Sequence, residues 1–219
     1  GLGLKIVKTS SGYTISDDDG NKMYFNSQGN LIKSSDKNNN GMVITYASDN
    51  KTINKVTDGS GHVITLTSDS EYNYLRKITD PAGRSITYTY TSGSPSISTV
   101  TYPDKTKSTY TYDADNALKT AYGSDGVGLT FTYNSLLKGK RITQVSEKNF
   151  NDKTNGQTIE FSRGNYNETV ITSSGVDGII ITSDDVKTTY QFDKYGRTKL
   201  TSSKTSKEYL NSTSFCYTS

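Results

Sequence analysis

YTYDADNALKTAYGSDGVGLTFTY (residues 110–133) opens on Tyr110-Thr-Tyr112 and closes on Phe131-Thr-Tyr133, the same short phrase one period apart. Bulky and small polar residues alternate in it, as in a strand whose successive side chains point to opposite faces. The phrase recurs as Ile44-Thr-Tyr46, Ile64-Thr-Leu66, Ile86-Thr-Tyr88, Ile159-Glu-Phe161 and Tyr190-Gln-Phe192. First positions of successive copies lie 20, 22, 24, 21, 28 and 31 residues apart, so the repeat is twenty-odd residues long and lengthens toward the C-terminus. Met23-Tyr24-Phe25 is an eighth, fainter copy.

A second element runs between these phrases: an aliphatic residue, two polar positions, a second aliphatic residue, then a polar pair. It reads INKVTD (53–58), LRKITD (75–80), ISTVTY (97–102), LKTAYG (118–123) and ITQVSE (142–147). Gly-bearing turns such as DGSG (58–61) and DPAG (80–83) follow, and Gly, Asn and Asp punctuate both ends of each strand. Each unit is therefore strand, turn, strand, turn. Aliphatic residues three apart face opposite sides of a plain strand; either a β-bulge brings them together, or the first belongs to the turn and packs over the strand end.

Composition points the same way. The chain of 219 residues has 31% apolar residues, no Trp, 6 Phe and 17 Tyr. A compact α/β enzyme of this length carries more Leu, Ile, Val and Ala, and a disordered chain carries fewer aromatic and β-branched residues. Thr, Ser, Asn, Tyr and Gly are mediocre helix formers and no long 3.6 periodicity appears, so essentially no helix is expected. Seven or eight units of two strands give about 14 to 16 strands and a strip roughly 70 Å long. So wide a sheet curls, and its apolar face must be covered by the strip rolling on itself, by neighbouring repeats or by another copy. The fold class expected is all-β, an array of antiparallel hairpin repeats in a curved or spiralling sheet. Residues 1–219 form a single array, with residues 1–12 and 201–219 as irregular or truncated ends.

The net charge is +3 and the lysines are scattered along the sequence, which leaves no nucleic-acid footprint. Cys216 is the one cysteine, so it has no partner for an internal disulfide or a metal site. No apolar run reaches bilayer-spanning length. GLGLKIV has neither an initiator Met nor the apolar core of a signal peptide, and the chain is expected to be an internal piece of something longer.

Tyr112-Asp113-Ala-Asp-Asn-Ala-Leu118, Phe192-Asp193-Lys-Tyr-Gly196-Arg197 and Asp80-Pro-Ala-Gly83-Arg84-Ser-Ile-Thr-Tyr88-Thr-Tyr90 resemble the repeats of the RHS or YD-repeat family. That signature is Tyr-Asp, a short turn with Gly-Arg or Gly-Asn, an aliphatic residue and a further aromatic strand. Tyr24-Phe25-Asn-Ser-Gln-Gly29-Asn30-Leu31 fits with Asn in place of Asp, and the resemblance runs from about residue 13 to about residue 200. It implies a large exported or cell-surface protein, often bacterial, whose hairpins wind into a hollow β-shell. In the family's toxin members the shell encloses a C-terminal toxic domain; in others the repeats serve attachment or display. Several copies here lack the Tyr-Asp pair, and this length amounts to an arc of a shell.

Some members of the family carry a self-cleaving Asp-Pro-x-Gly-Leu segment. Asp80-Pro81-Ala82-Gly83 matches its Asp, Pro and Gly, but Arg84 replaces Leu and the tetrapeptide occupies the ordinary turn slot. His62 follows Gly61 in a turn with no Cys or Ser nucleophile placed near it, so an exposed turn histidine is expected. The clusters Asp17-Asp18-Asp19-Gly20-Asn21 and Asp113-Ala114-Asp115-Asn116 have calcium-loop oxygens, but a full loop needs carboxylates or amides at alternate positions plus a distant bidentate acid. Ile15 stands where one extension of the first cluster needs a ligand, and turn chemistry explains both clusters more simply. Tyr88 and Tyr110 admit two readings: rings that stack on sugar, or rings that pack in half-buried strands, the second being preferred.

The expected role is a structural, non-catalytic module forming part of the wall of a secreted or surface-displayed shell, with no catalytic, cofactor or metal residues. Its expected partners are neighbouring repeats or domains, and a toxin or effector domain or a surface glycan. Self-association through exposed edges or the apolar face is a further expectation. A carbohydrate-binding adhesive module is the alternative.

Overall fold

The computed structural model describes residues 3–134, 140–163, 168–175, 180 and 183–217. No helix occurs among them. The chain forms two compact units, Gly1–Thr106 and Lys107–Ser219. The first holds β1 (Lys5–Thr9), β2 (Gly12–Ser16), β3 (Lys22–Asn26), β4 (Leu31–Ser35), β5 (Gly41–Tyr46), β6 (Ile53–Asp58), β7 (Val63–Ser68), β8 (Leu75–Thr79), β9 (Ser85–Tyr90) and β10 (Ile97–Thr101). The second holds β11 (Lys107–Tyr112), β12 (Leu118–Gly123), β13 (Val127–Asn134), β14 (Arg141–Asn149), β15 (Asn155–Arg163), β16 (Glu168–Ser173), β17 (Val186–Phe192), β18 (Thr198–Lys204) and β19 (Tyr209–Ser214). Within each unit every strand pairs antiparallel with the next, forming a meander of hairpins. This all-β array of antiparallel hairpins is the fold class the repeat predicts.

The second element contains the bulge. Thr45 pairs with Lys55 and Tyr46 with Ile53, leaving Asn54 as the extra residue. The same shift leaves Arg76 extra between Leu75 and Lys77, Ser98 between Ile97 and Thr99, Lys119 between Leu118 and Thr120, and Thr143 between Ile142 and Gln144. One extra residue turns a spacing of three into a same-face spacing, so both aliphatic residues of each element share a face with the preceding phrase. Ile53 and Val56 lie opposite Tyr46 and Ile44; Leu118 and Ala121 lie opposite Tyr112 and Tyr110. Each bulge also sharpens the local twist of its strand.

Register therefore sorts the side chains into two faces. In the first unit Ile44, Val56 and Ile64 form one cross-strand row, Leu66, Ile78 and Ile86 the next, and Tyr88 and Val100 another. The opposite face carries Thr45, Thr65, Thr79 and Ser85 in one such row. Among the described residues each strand touches only its neighbours in sequence, so no second layer of strands covers the apolar face within a unit. Val100, 8% exposed, is the one buried hydrophobic side chain among the described residues, while Ile64 and Ile142 are each 42% exposed.

The ends differ from expectation. Residues 1–12 carry β1 and the start of β2, and residues 201–219 carry the end of β18 and all of β19; Gly1, Leu2, Thr218 and Ser219 lie outside the described residues. Ile6 pairs with Ile15 and Lys8 with Tyr13, an alternation too short to stand out as a repeat. Among the described residues these strands raise the total above 14 to 16, to ten in one unit and nine in the other. The lengthened repeat near residue 150 has a simple origin: β14 and β15 run to 9 residues each, where β5 to β7 have 6.

Candidate functional site

The most repetitive chemistry sits in the turns. Asp80 accepts the Gly83 N–H at its carbonyl (3.0 Å) and the Arg84 N–H at Oδ1 (2.9 Å), and its own N–H donates to the Arg84 carbonyl. Asp193 repeats this with Gly196 and Arg197, and Asp58 with Gly61 and His62. Arg84 Nε reaches Asp80 Oδ2 at 2.6 Å, and Arg197 Nε reaches Asp193 Oδ2 at 2.7 Å. The fourth turn residue adopts positive φ: +79° at Gly83, +80° at Gly196, 62° at Asn116 and 73° at Lys105. Gly and Asn suit that conformation and Asp caps the turn's N–H groups, which explains the D-x-x-G/N punctuation. Asp80-Pro81-Ala82-Gly83 thus has the geometry of an ordinary turn of this array.

His62 lies in the same slot as Arg84, exposed, with Nδ1 3.0 Å from Asp58 Oδ2. The His62 ring and backbone N–H together hold the Asp58 carboxyl below its usual range. In the first acidic cluster Asp17 Oδ1 accepts the Asp19 and Asn21 N–H groups at 3.0 and 2.8 Å, and Oδ2 accepts Asn21 Nδ2 at 2.7 Å. Both carboxylate oxygens are committed to N–H donors. In the second cluster Lys140 Nζ bridges Asp113 and Asp115, at 2.7 Å from the latter. Lys140, then the Ala117 N–H, lower the Asp113 pKa, and the two carboxylates raise that of Lys140. Sequence reasoning had no access to Lys140, which is 27 residues from Asp113. Cys216 is a free, exposed thiol.

Three strand tyrosines act through their hydroxyls in the same way. Tyr46, Tyr90 and Tyr133 each donate to the carbonyl of a leucine fifteen residues back, Leu31, Leu75 and Leu118, at 2.9, 2.8 and 2.8 Å. Tyr88 and Tyr110 are half-buried in β9 and β11. Tyr74 lies between Tyr72 (centroids 5.3 Å) and Tyr90 (5.0 Å), and the Arg76 guanidinium, paired with Asp69 at 2.8 Å, lies 4.7 Å from the Tyr90 centroid. In the second unit a polar cluster is buried: the Thr158 N–H donates to Ser174 Oγ at 2.7 Å and Thr158 Oγ1 to Ser146 Oγ at 3.0 Å. Ser146 and Thr158 are ordinary strand residues and Ser174 directly follows β16, and no local signal marks them.

No family model and no curated protein matches this chain. Among solved structures, the crystal structure of TcdB2-TccC3-Cdc42 matches with a TM-score of 0.50 and 15% identity, over 91% of this chain and 13% of that one. The crystal structure of TcdB2-TccC3 matches with a TM-score of 0.50 and 15% identity, over 94% of this chain and 14% of that one. A Photorhabdus luminescens Tc holotoxin pore bearing a TccC3 mutation matches with a TM-score of 0.37 and 10% identity, over 92% and 16%. The chain therefore spans a small fraction of the chains it matches. What it shares with the first two is the fold.

Proposed function

We propose that this chain is a length of wall in an RHS or YD-repeat shell, a non-catalytic module of a secreted or surface-displayed protein. The single-layer, two-faced sheet is the observation that carries the reading. An array with one buried apolar side chain among its described residues cannot close a core by itself, so its half-exposed rows of Ile, Leu and Tyr require further repeats or enclosed cargo against them. The fold likeness to TcdB2-TccC3 supports the same reading. A non-catalytic role is supported by the turns, where the carboxylates of Asp17, Asp58, Asp80 and Asp193 serve backbone N–H groups.

The proposed partners are neighbouring repeats and an enclosed domain. Adjoining repeats extend the meander at β1 and β19, each of which has a strand partner on one side, and a toxin or effector domain is the cargo. Limited proteolysis and electron microscopy of the full-length gene product test this. The expected result is a hollow body holding a segment that resists protease until the shell is opened. An extended, open array with every segment equally cleavable overturns the reading.

A further inference from the structure

Lysines that are dispersed in the sequence fall on one line in the first unit. Lys5 pairs with Ser16, Ser16 with Lys22 and Lys22 with Ser35, so Lys5 and Lys22 share a row and a face. Lys33 lies two residues before Ser35 on that face and pairs with Val43, which pairs with Thr57. Lys55, two residues before Thr57, pairs with Thr65; Thr65 pairs with Thr79, and Lys77 lies two residues before Thr79. The bulged residues Ile32, Asn54 and Arg76 fall just before Lys33, Lys55 and Lys77 and so leave this alternation intact.

The five lysines thus follow a diagonal from β1 to β8, stepping one row further at each of β4, β6 and β8. With strands about 4.8 Å apart and residues about 3.4 Å apart along a strand, the line is roughly 40 Å long. All but the half-buried Lys33 are exposed, and none of the five forms an ion pair among the described residues. The unit's Asp and Glu residues lie in the turns, except Asp58 at the end of β6, which pairs with Met42 and so belongs to the apolar face. Between the lysines the face offers hydroxyls, among them Thr45, Thr65 and Thr79, which both donate and accept.

We propose that this face binds a linear acidic polysaccharide, with the lysines on its sulfate or carboxylate groups and the hydroxyls on its sugar oxygens. A row of like charges with no intervening acid concentrates a polyanion along its length. Single-stranded nucleic acid is the other linear polyanion, but it is held by aromatic rings that stack on bases. Among the described residues the only aromatic side chain on this face of the first unit's strands is Tyr24, whose ring already carries the Lys33 ammonium at 5.5 Å. The proposal stands apart from the shell reading, since it concerns the polar face.

Isothermal calorimetry of the chain with heparin, with neutral dextran and oligo-dT as comparators, tests it. Heparin binds with an affinity that falls as salt rises, and dextran does not bind. The triple variant Lys33→Gln, Lys55→Gln, Lys77→Gln binds heparin about tenfold more weakly or worse, while Lys37→Gln, Lys51→Gln, Lys105→Gln changes it by less than about twofold. Circular dichroism checks that both triples keep the β signal, and Lys55→Glu alone serves as a second variant if the first triple does not fold. Absence of heparin binding at low salt, equal loss in both triples, no loss in Lys55→Glu, or oligo-dT binding as tightly as heparin overturns the proposal.

Discussion

Tyr90 Oη donates to the Leu75 carbonyl at 2.8 Å across the β8–β9 hairpin, whose ladder holds only Lys77 with Thr87, Ile78 with Ile86 and Thr79 with Ser85. Leu75 lies beyond that short ladder and next to the bulged Arg76, where its carbonyl needs a donor from elsewhere. The tyrosine hydroxyl supplies it, and Tyr46 with Leu31 and Tyr133 with Leu118 repeat the arrangement. Tyr90→Phe removes the donor and keeps the ring, so it should cost about 1 kcal/mol in urea unfolding. Tyr90→Ala also removes the contacts with Tyr74 and Arg76 and should cost about 3 kcal/mol. A Tyr90→Phe protein as stable as the parent would mean that water serves the carbonyl equally well.

Acid should loosen the turns before it affects anything else. Asp49 is held at about 2, from 3.8, chiefly by the Thr52 hydroxyl and then by the Lys51 and Thr52 N–H groups. Asp17, Asp36 and Asp113 are lowered as well, led by Asn21, Asn40 and Lys140 respectively. A carboxyl whose folded pKa lies below its unfolded value stabilises the fold fully above the unfolded value, and that contribution is lost as pH falls through the folded one. Stability should therefore be flat from neutral pH down to just above 3.8 and decline from there toward 2. Urea midpoints measured across this range check it. Asp49→Asn should flatten part of the slope, and an unchanged slope would remove Asp49 from the account.

Lys105 occupies the positive-φ slot that Gly83 and Gly196 fill in sister turns, with φ 73° against 79° and 80°. A residue with a Cβ is strained there. Lys105→Gly should raise stability by about 0.5 to 1 kcal/mol, and Gly83→Ala should lower it by about 1 kcal/mol. The second cost is conformational, because a Cβ at Gly83 meets nothing within 4 Å. Thermal unfolding of the two variants should move in opposite directions.

The fold was legible where a residue's meaning is local. The phrase Ile86-Thr-Tyr88 reports its own alternation, and Asp80-Pro-Ala-Gly83 reports its own turn. The spacing of Ile53 and Val56 left two solutions open, because the bulge at Asn54 is defined only by its partners Thr45 and Tyr46 on the neighbouring strand. The lysine line was invisible for the same reason. Lys33, Lys55 and Lys77 are 22 residues apart in sequence, but their common face depends on the register of β4 through β8, which is set between strands. Lys140 against Asp113 and Thr158 against Ser174 are contacts of distant residues with no local constraint, so nothing in the chain marked them.

The bulge itself can be tested by deletion. Asn54 is exposed, and its side chain is dispensable if its role is to be the extra residue, so Asn54→Ala should change stability by less than about 0.5 kcal/mol. Deleting Asn54 shortens the spacing of Ile53 and Val56 from three to two, which in a plain strand puts both on one face, so Lys55 keeps Thr45 and Ile53 keeps Tyr46 in an unbulged ladder. The deletion should therefore fold and stay within about 1 kcal/mol of the parent in urea unfolding. Hydrogen exchange should show protection retained in β5 and β6. A loss of about 2 kcal/mol or more, with protection lost in those two strands, would show that the bulge does more than bring both aliphatic residues to one face.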